Sequence, residues 1–187
     1  MSNDPPEMPA TQVALIKAID SFTEVTGHAI AWILVPMTLS VGYEVFARYL
    51  FNSPTDWVFD VTYMCYGTLF MLGAHFALKR GAHIRTDMLW QHFSERKKGM
   101  IDTIAYLLFF FPSMLMLFVV GWGEAYLSFS INETSEQTVW RPILWPFKFV
   151  VPATAALLMI QGISETIKSI YAWRHNREYE HKEGAEI

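Results

Sequence analysis

The chain has 187 residues, 52% of them hydrophobic, and a formal net charge of −4, which fits one domain and gives no footing for nucleic acid. Its one cysteine, Cys65, lies inside an apolar run, so a disulfide framework, a cysteine-based metal site and a dithiol redox pair are excluded. The apolar residues gather into blocks as long as a bilayer is thick and leave the charges between them, so lipid is the solvent to reason with.

Residues 1–11 are polar, with Pro5, Pro6 and Pro9, and lack the basic stretch, short apolar run and small-residue cleavage site of a secretory signal. Insertion is therefore expected to rely on the first membrane helix. Residues 1–26 read as an N-terminal segment in which Val13, Ile16, Ile19, Phe22 and Val25 recur at mostly helical spacing, as in a helix lying on the membrane surface. Four apolar blocks follow, at about 27–50, 57–78, 100–129 and 143–170, each longer than the roughly 20 residues a helix needs to cross. Continuous apolar runs such as 106–120 exclude the alternation of a barrel strand. The expected fold class is an all-α integral membrane protein, with a four-helix transmembrane bundle over 27–171.

Basic residues set the orientation. The connection 79–99 holds Lys79, Arg80, Arg85, Arg96, Lys97 and Lys98, and the tail 172–187 holds Arg174, Arg177 and Lys182, so both are expected in the cytoplasm, as is the N-terminus. The connection at 52–56 has no lysine or arginine, and that at 132–142 has Arg141 beside Glu133 and Glu136; both face the other side. Trp57, Trp122, Trp140 and Trp145 cluster towards that side, and Trp90 and Trp173 towards the cytoplasm. Ile84, Met88, His92, Phe93 and Met100 suit a short interfacial helix in the cytoplasmic connection.

An ionisable residue within a span is expensive, which makes it a functional candidate. Glu44 and Arg48 are four apart on the first span and can pair on one face. Asp60, one turn into the second span, is within reach of the same arginine, so the three read as a polar clasp joining two span ends. Glu124 and Lys148 read as a second pair or as snorkelling side chains. No charge is placed at mid-span, which argues against an ion-coupled pump made of this chain alone. Pro36, Pro112 and Pro152 interrupt three spans singly, without an internal repeat. Gly67, Gly73, Ala74 and Ala77 give the second span a small-residue face for a neighbouring helix. His28 and His75, near the same ends of their spans, admit an alternative: the axial ligands of a haem b in the membrane anchor of a redox enzyme. A third reading, a self-sufficient channel or carrier, finds few polar residues to line a path. His83 and His92 lack a second cluster to complete a metal site, and no phosphate loop, nucleophile elbow or catalytic dyad appears.

The stretch 46–60, FARYLFNSPTDWVFD, continuing through Gly67 and Gly73 to KRGAHIRTD at 79–87, resembles the DctQ-type small permease subunit of tripartite ATP-independent periplasmic (TRAP) transporters. In that family an arginine and a Phe-Asn pair end the first span, a tryptophan and an acidic residue open the second, and an Arg/Lys-Gly-x-His-Ile/Val-x-x-Asp signature follows it. Arg48, Phe51, Asn52, Trp57, Arg80, Gly81, His83, Ile84 and Asp87 match those positions. Asp60 departs from the family's usual glutamate, keeping the charge and shortening the reach. The resemblance implies a role without catalysis or cofactor. The small subunit would embrace a large multi-span (M) permease subunit carrying the substrate and sodium sites, in the bacterial inner membrane, and a periplasmic solute-binding protein would deliver an organic-acid-type solute. Glu44, Arg48, Asn52, Trp57, Asp60, Arg80, Gly81, His83 and Asp87 are then structural or partner-interface candidates, with Gly81 permitting a backbone reversal and Asp87 capping the helix that follows.

Overall fold

The computed structural model describes residues 8–81, 93–177 and 179. The described chain is helical, with no strand; its only sheet-like feature is a single bridge between Thr134 and Ile143. Four helical runs are long and apolar enough to cross a membrane: Ala10–Phe51, Val58–Lys79, Glu95–Ser130 and Trp145–His175.

The first run is two helices, α1 (Ala10–Ala31) and α2 (Leu34–Phe51). The N-terminal segment and the first expected span are thus joined, and the break falls at Trp32–Ile33, inside the block read as that span. Pro36 explains the place: it has no N–H to give the Trp32 carbonyl, which instead accepts from Val35 at 3.1 Å in a tighter turn. The second run is α3 (Val58–Lys79). The third joins α4 (Glu95–Ala105), a π-helical turn (Tyr106–Phe110) and α5 (Phe111–Ser130). Here the cause is Pro112, whose ring would press on the carbonyl four residues back. The Phe111 N–H reaches five residues back to the Tyr106 carbonyl, and the Ser113 hydroxyl donates to the Phe109 carbonyl at 2.6 Å. Met100 lies within α4, and Ile84, Met88 and His92 of the expected interfacial helix lie outside the described residues. The fourth run joins the short α6 (Trp145–Lys148) to α7 (Val150–His175). Pro152 falls in the first turn of α7, where its missing N–H costs nothing.

Helix ends are marked by left-handed residues. Asn52, Asn132 and Asn176 (φ 48°, 48° and 53°) follow α2, α5 and α7, and Gly81 (φ 70°) follows α3. Asparagine and glycine tolerate this conformation, which turns the chain away while orphan carbonyls are satisfied; after α2 the Ser53 N–H returns to the Ala47 carbonyl at 3.0 Å.

The chain divides into two compact units, one of Met1–Val25, His75–Leu115 and Leu157–Ile187, the other of Thr26–Ala74 and Met116–Ala156. The first unit has a polar interior. Ile16, Thr23, His75, Gln161, Ser164 and Glu165 are its most deeply buried side chains, while Phe22, Val25, Leu108 and Phe109 lie exposed. A water-soluble protein would reverse this; in a bilayer, polar groups face inward and apolar ones meet lipid. Gly99 brings α4 against the backbone of α7, where an added Cβ would stand 2.5 Å from the Trp173 nitrogen and 2.6 Å from the Ser169 carbonyl oxygen. Gly162 receives the Phe110 ring, turned inward from the π-helical turn. The second unit closes on Ala47, Val58, Ala125 and Ala155 with the buried polar residues Asp60 and Ser135. Gly67 lies under the Phe147 ring, and Gly121 under Val151 and Pro152. Small residues at these points let helices approach closely enough for dispersion to hold them, since lipid is no less apolar than a neighbouring helix.

Candidate functional site

In the first unit, α1 turns Ile16, Asp20 and Thr23, spaced four and three apart, inward. Asp20 is the hub. Its carboxylate pairs with Lys168 Nζ at 2.6 Å and accepts from Ser164 Oγ at 2.8 Å and Gln161 Nε2 at 3.1 Å. Thr23 donates to Gln161 Oε1 at 2.7 Å, and Glu165 lies 3.4 Å from Lys168 and 3.3 Å from Gln161. Gln161, Ser164, Glu165 and Lys168 share the inward face of α7, so the network ties an N-terminal helix to the last one. A second group adjoins it: Glu24 accepts from Lys79, and from Arg80 at 3.4 Å, while Lys79 also donates to the Asp20 carbonyl at 3.1 Å. Arg80 lies over the Phe76 ring, 5.1 Å from its centroid. Gly81 follows directly, and His83 and Asp87 of the same motif lie outside the described residues.

Asp20 and its partners are not among the residues that the sequence singles out, and no charge is expected deep in a span from the sequence alone. Asp20, Glu165 and Lys168 are nonetheless buried charges on helices long enough to cross. The one signal available was that Gln161, Ser164, Glu165 and Lys168 recur at three- and four-residue spacing within an apolar block, which marks an inward polar stripe.

In the second unit, Glu44 and Arg48 pair at 2.5 Å on α2, and the free side of the carboxylate accepts from the Thr55 N–H at 2.9 Å and from its hydroxyl. Glu44 thereby fastens the connection 52–57 to α2, and Trp57 stacks on Tyr43 with ring centroids 5.9 Å apart. Asp60 does not join this clasp. It is 0% exposed in the first turn of α3, where the helix dipole favours a carboxylate, and it accepts from Ser135 Oγ at 2.6 Å and from the Thr138 hydroxyl. The expected three-member clasp is therefore two structures, one holding each of two connections, because the Ser and Thr hydroxyls of 132–142 reach Asp60 from a distant part of the sequence.

That second connection is further fixed by backbone bonds from Ser135 to Pro142 at 2.8 Å and from Leu144 to Glu133 at 2.9 Å. Lys148 pairs with Glu133 at 2.5 Å, and Glu124 is exposed, so the Glu124–Lys148 pairing is not formed. The Lys148 ammonium bonded to Glu133 holds its carboxyl below the ordinary 4.5. Protonation forfeits the bond, so the pair stabilises the connection above that ordinary value and is lost as the pH falls through the lowered one. A titration of Glu133 by carbon NMR should show a midpoint below 4.5 that rises in Lys148→Met; equal midpoints in the two proteins would exclude the pair.

His75 is buried and His28 is exposed. Among the described residues no three His, Cys, Asp or Glu side chains gather as metal ligands. Both polar clusters thus consist of groups bonded to one another across helices and connections.

Residues 37–171, more than half of the chain, match the family described as Tripartite ATP-independent periplasmic transporters, DctQ component. No curated protein matches the chain. The family is a transporter component and not an enzyme family, and it does not favour the haem-anchor alternative. The chain, a multi-pass membrane protein, belongs to the DctQ family and is a small permease subunit of a TRAP transporter.

Proposed function

We propose that this chain is the fixed membrane scaffold of its transporter, supporting the large multi-span permease subunit in sodium-coupled uptake of an organic-acid-type solute brought by a periplasmic solute-binding protein. The observation that carries the reading is the state of its buried charges. Asp20, Glu165 and Lys168 are bonded to one another and to Gln161 and Ser164, as suits a bundle that holds still while a partner moves, since ion-coupled carriers keep such groups available for ions or protons. The large apolar side chains on the outside of the long helices, among them Tyr66, Phe70, Met116 and Val119, offer surface to lipid and to a membrane partner.

In this reading the chain spans the bacterial inner membrane with both termini in the cytoplasm. Residues 1–26 and 172–187 flank the bundle there, and the basic residues Arg80, Arg85, Arg96, Lys97 and Lys98 of the connection 79–99 meet anionic head groups. Glu44, Arg48, Asn52, Trp57 and Asp60 shape the opposite face, and Arg80, Gly81, His83 and Asp87 shape the cytoplasmic turn. The test is a pull-down of the chain, tagged at its C-terminus and solubilised in mild detergent, with mass spectrometry and an absorbance scan of the same sample. Co-purification of a large multi-span permease without a Soret band is expected; a haem spectrum with soluble redox subunits would overturn the proposal.

A further inference from the structure

Around α1 the side chains change character in order. Ile16, Asp20 and Thr23 are buried, Glu24, Lys17 and Ser21 come next around the helix, and Val25, Phe22 and Leu15 follow as an exposed apolar stripe. Over the middle band lies a cavity of about 360 Å³, bounded also by Lys79, the last residue of α3, and by Tyr179 beyond α7. That volume falls in the range of small-molecule sites, about 300–1,000 Å³. Its height follows from α3: a helix long and apolar enough to cross a membrane ends at Lys79, so the cavity stands where a span meets phospholipid head groups.

The carboxylates of the lining are already engaged. Asp20 is held by Lys168, Ser164 and Gln161, and Glu24 by Lys79 and Arg80. Lys79 gives N–H groups to Glu24 and to the Asp20 carbonyl, out of the three an ammonium has. The Lys17 ammonium and the Ser21 and Tyr179 hydroxyls, in contrast, have no bonded partner among the described residues. Tyr179 is positioned by its ring, which meets Tyr171 of α7 edge-on with centroids 6.0 Å apart. The groups left to satisfy are therefore donors, and donors call for an anion.

Charge narrows the class. Within the lining and its ion-pair partners, the cations Lys17, Lys79, Arg80 and Lys168 stand against the carboxylates of Asp20, Glu24 and Glu165, a surplus of one cation. A phosphodiester carries a single negative charge and matches that surplus, whereas free phosphate gains more charge through its second ionisation. A zwitterionic head would bring an ammonium that the surplus cation disfavours.

We propose that this cavity binds the phosphodiester of an anionic phospholipid, with Lys17 supplying the charge, Ser21 and Tyr179 the hydrogen bonds, and an acyl chain laid along Val25, Phe22 and Leu15. A lipid held in this way joins α1 to the end of α3 and to the segment after α7. The proposal stands on the membrane-spanning fold and is independent of the scaffold reading.

The test is native mass spectrometry of the full chain in detergent, titrated in turn with phosphatidylglycerol, phosphatidylcholine and inorganic phosphate. One phosphatidylglycerol is expected to bind more tightly than the other two ligands. Lys17→Gln alters only an exposed side chain and should weaken that binding at least about tenfold, while Lys97→Gln, at an exposed lysine outside the cavity lining, should leave it unchanged. Tyr179→Phe keeps the ring and loses the hydroxyl, and should weaken binding several-fold. Phosphatidylglycerol should also raise the unfolding temperature of the wild-type chain more than that of Lys17→Gln. Equal lipid binding by Lys17→Gln and Lys97→Gln would overturn the proposal, as would phosphatidylcholine bound as tightly as phosphatidylglycerol. Inorganic phosphate that displaces the lipid at comparable concentration would assign the cavity to a free anion and overturn the lipid as its ligand.

Discussion

Lys168→Met should destabilise the isolated chain by about 3–5 kcal/mol, because it leaves a carboxylate buried without its cation. Lys168 and Asp20 are 10% and 12% exposed at their side chains and 2.6 Å apart, and Glu165, 2% exposed, leans on the same ammonium. Removing the cation therefore strands two carboxylates next to each other in a site with little water to screen them. Asp20→Asn is expected to cost less, since an amide retains size and can still meet Ser164 and Gln161. The double variant Asp20→Asn/Lys168→Met should recover part of what Lys168→Met loses, because it strands one carboxylate, Glu165, in place of two. Thermal unfolding in detergent, followed by intrinsic fluorescence, reads all three proteins. An unchanged midpoint for Lys168→Met, or a double variant no better than the single one, would mean that the pair does not hold α1 to α7.

Gly99→Ala should be destabilising and Gly73→Ala should not, although both add one methyl group to a helix. On α4 the new carbon would lie 2.5 Å from the Trp173 nitrogen and 2.6 Å from the Ser169 oxygen, both backbone atoms of α7 that no rotamer change can move. The two helices must separate, with the loss of their contacts, at a cost of about 1–3 kcal/mol or more. At Gly73 the added carbon meets nothing within 4 Å, and alanine's better helix propensity should raise stability by up to about 1 kcal/mol. The same thermal assay, run on the two variants side by side, decides the matter: equal shifts would contradict the close approach of α4 and α7. Should Gly73→Ala assemble poorly with the large subunit while being more stable alone, that open face of α3 would be where the partner sits.

The membrane character, the four long helices and the family resemblance were legible in the sequence, because each depends on local composition or on motifs within a short stretch. Lipid cannot satisfy a backbone, so any apolar block of span length must be helical, whatever its neighbours. The proline interruptions were visible for the same reason: Pro36 and Pro112 remove their own N–H groups, and the structure shows the break at Trp32–Ile33 and the π-helical turn at Tyr106–Phe110 that result. The Glu44–Arg48 pair was also readable, since helix geometry alone brings residues four apart together.

What pairs with what across the chain was decided by the tertiary structure. Asp20 meets Lys168 and Asp60 meets Ser135 and Thr138 over separations of 148, 75 and 78 residues, and no periodicity carries that information. Sequence proximity in depth favoured Arg48 for Asp60 and Glu124 for Lys148, but a carboxylate's partner is settled by which donor the packing delivers to hydrogen-bonding distance. The small residues behaved likewise: Gly67 and Gly73 look alike in the sequence, yet only Gly67 lies under a ring, that of Phe147. Local sequence, acting with lipid as solvent, determined the helices and their breaks, while their mutual packing chose the buried bonds, because those bonds join groups that are neighbours in space and strangers along the chain.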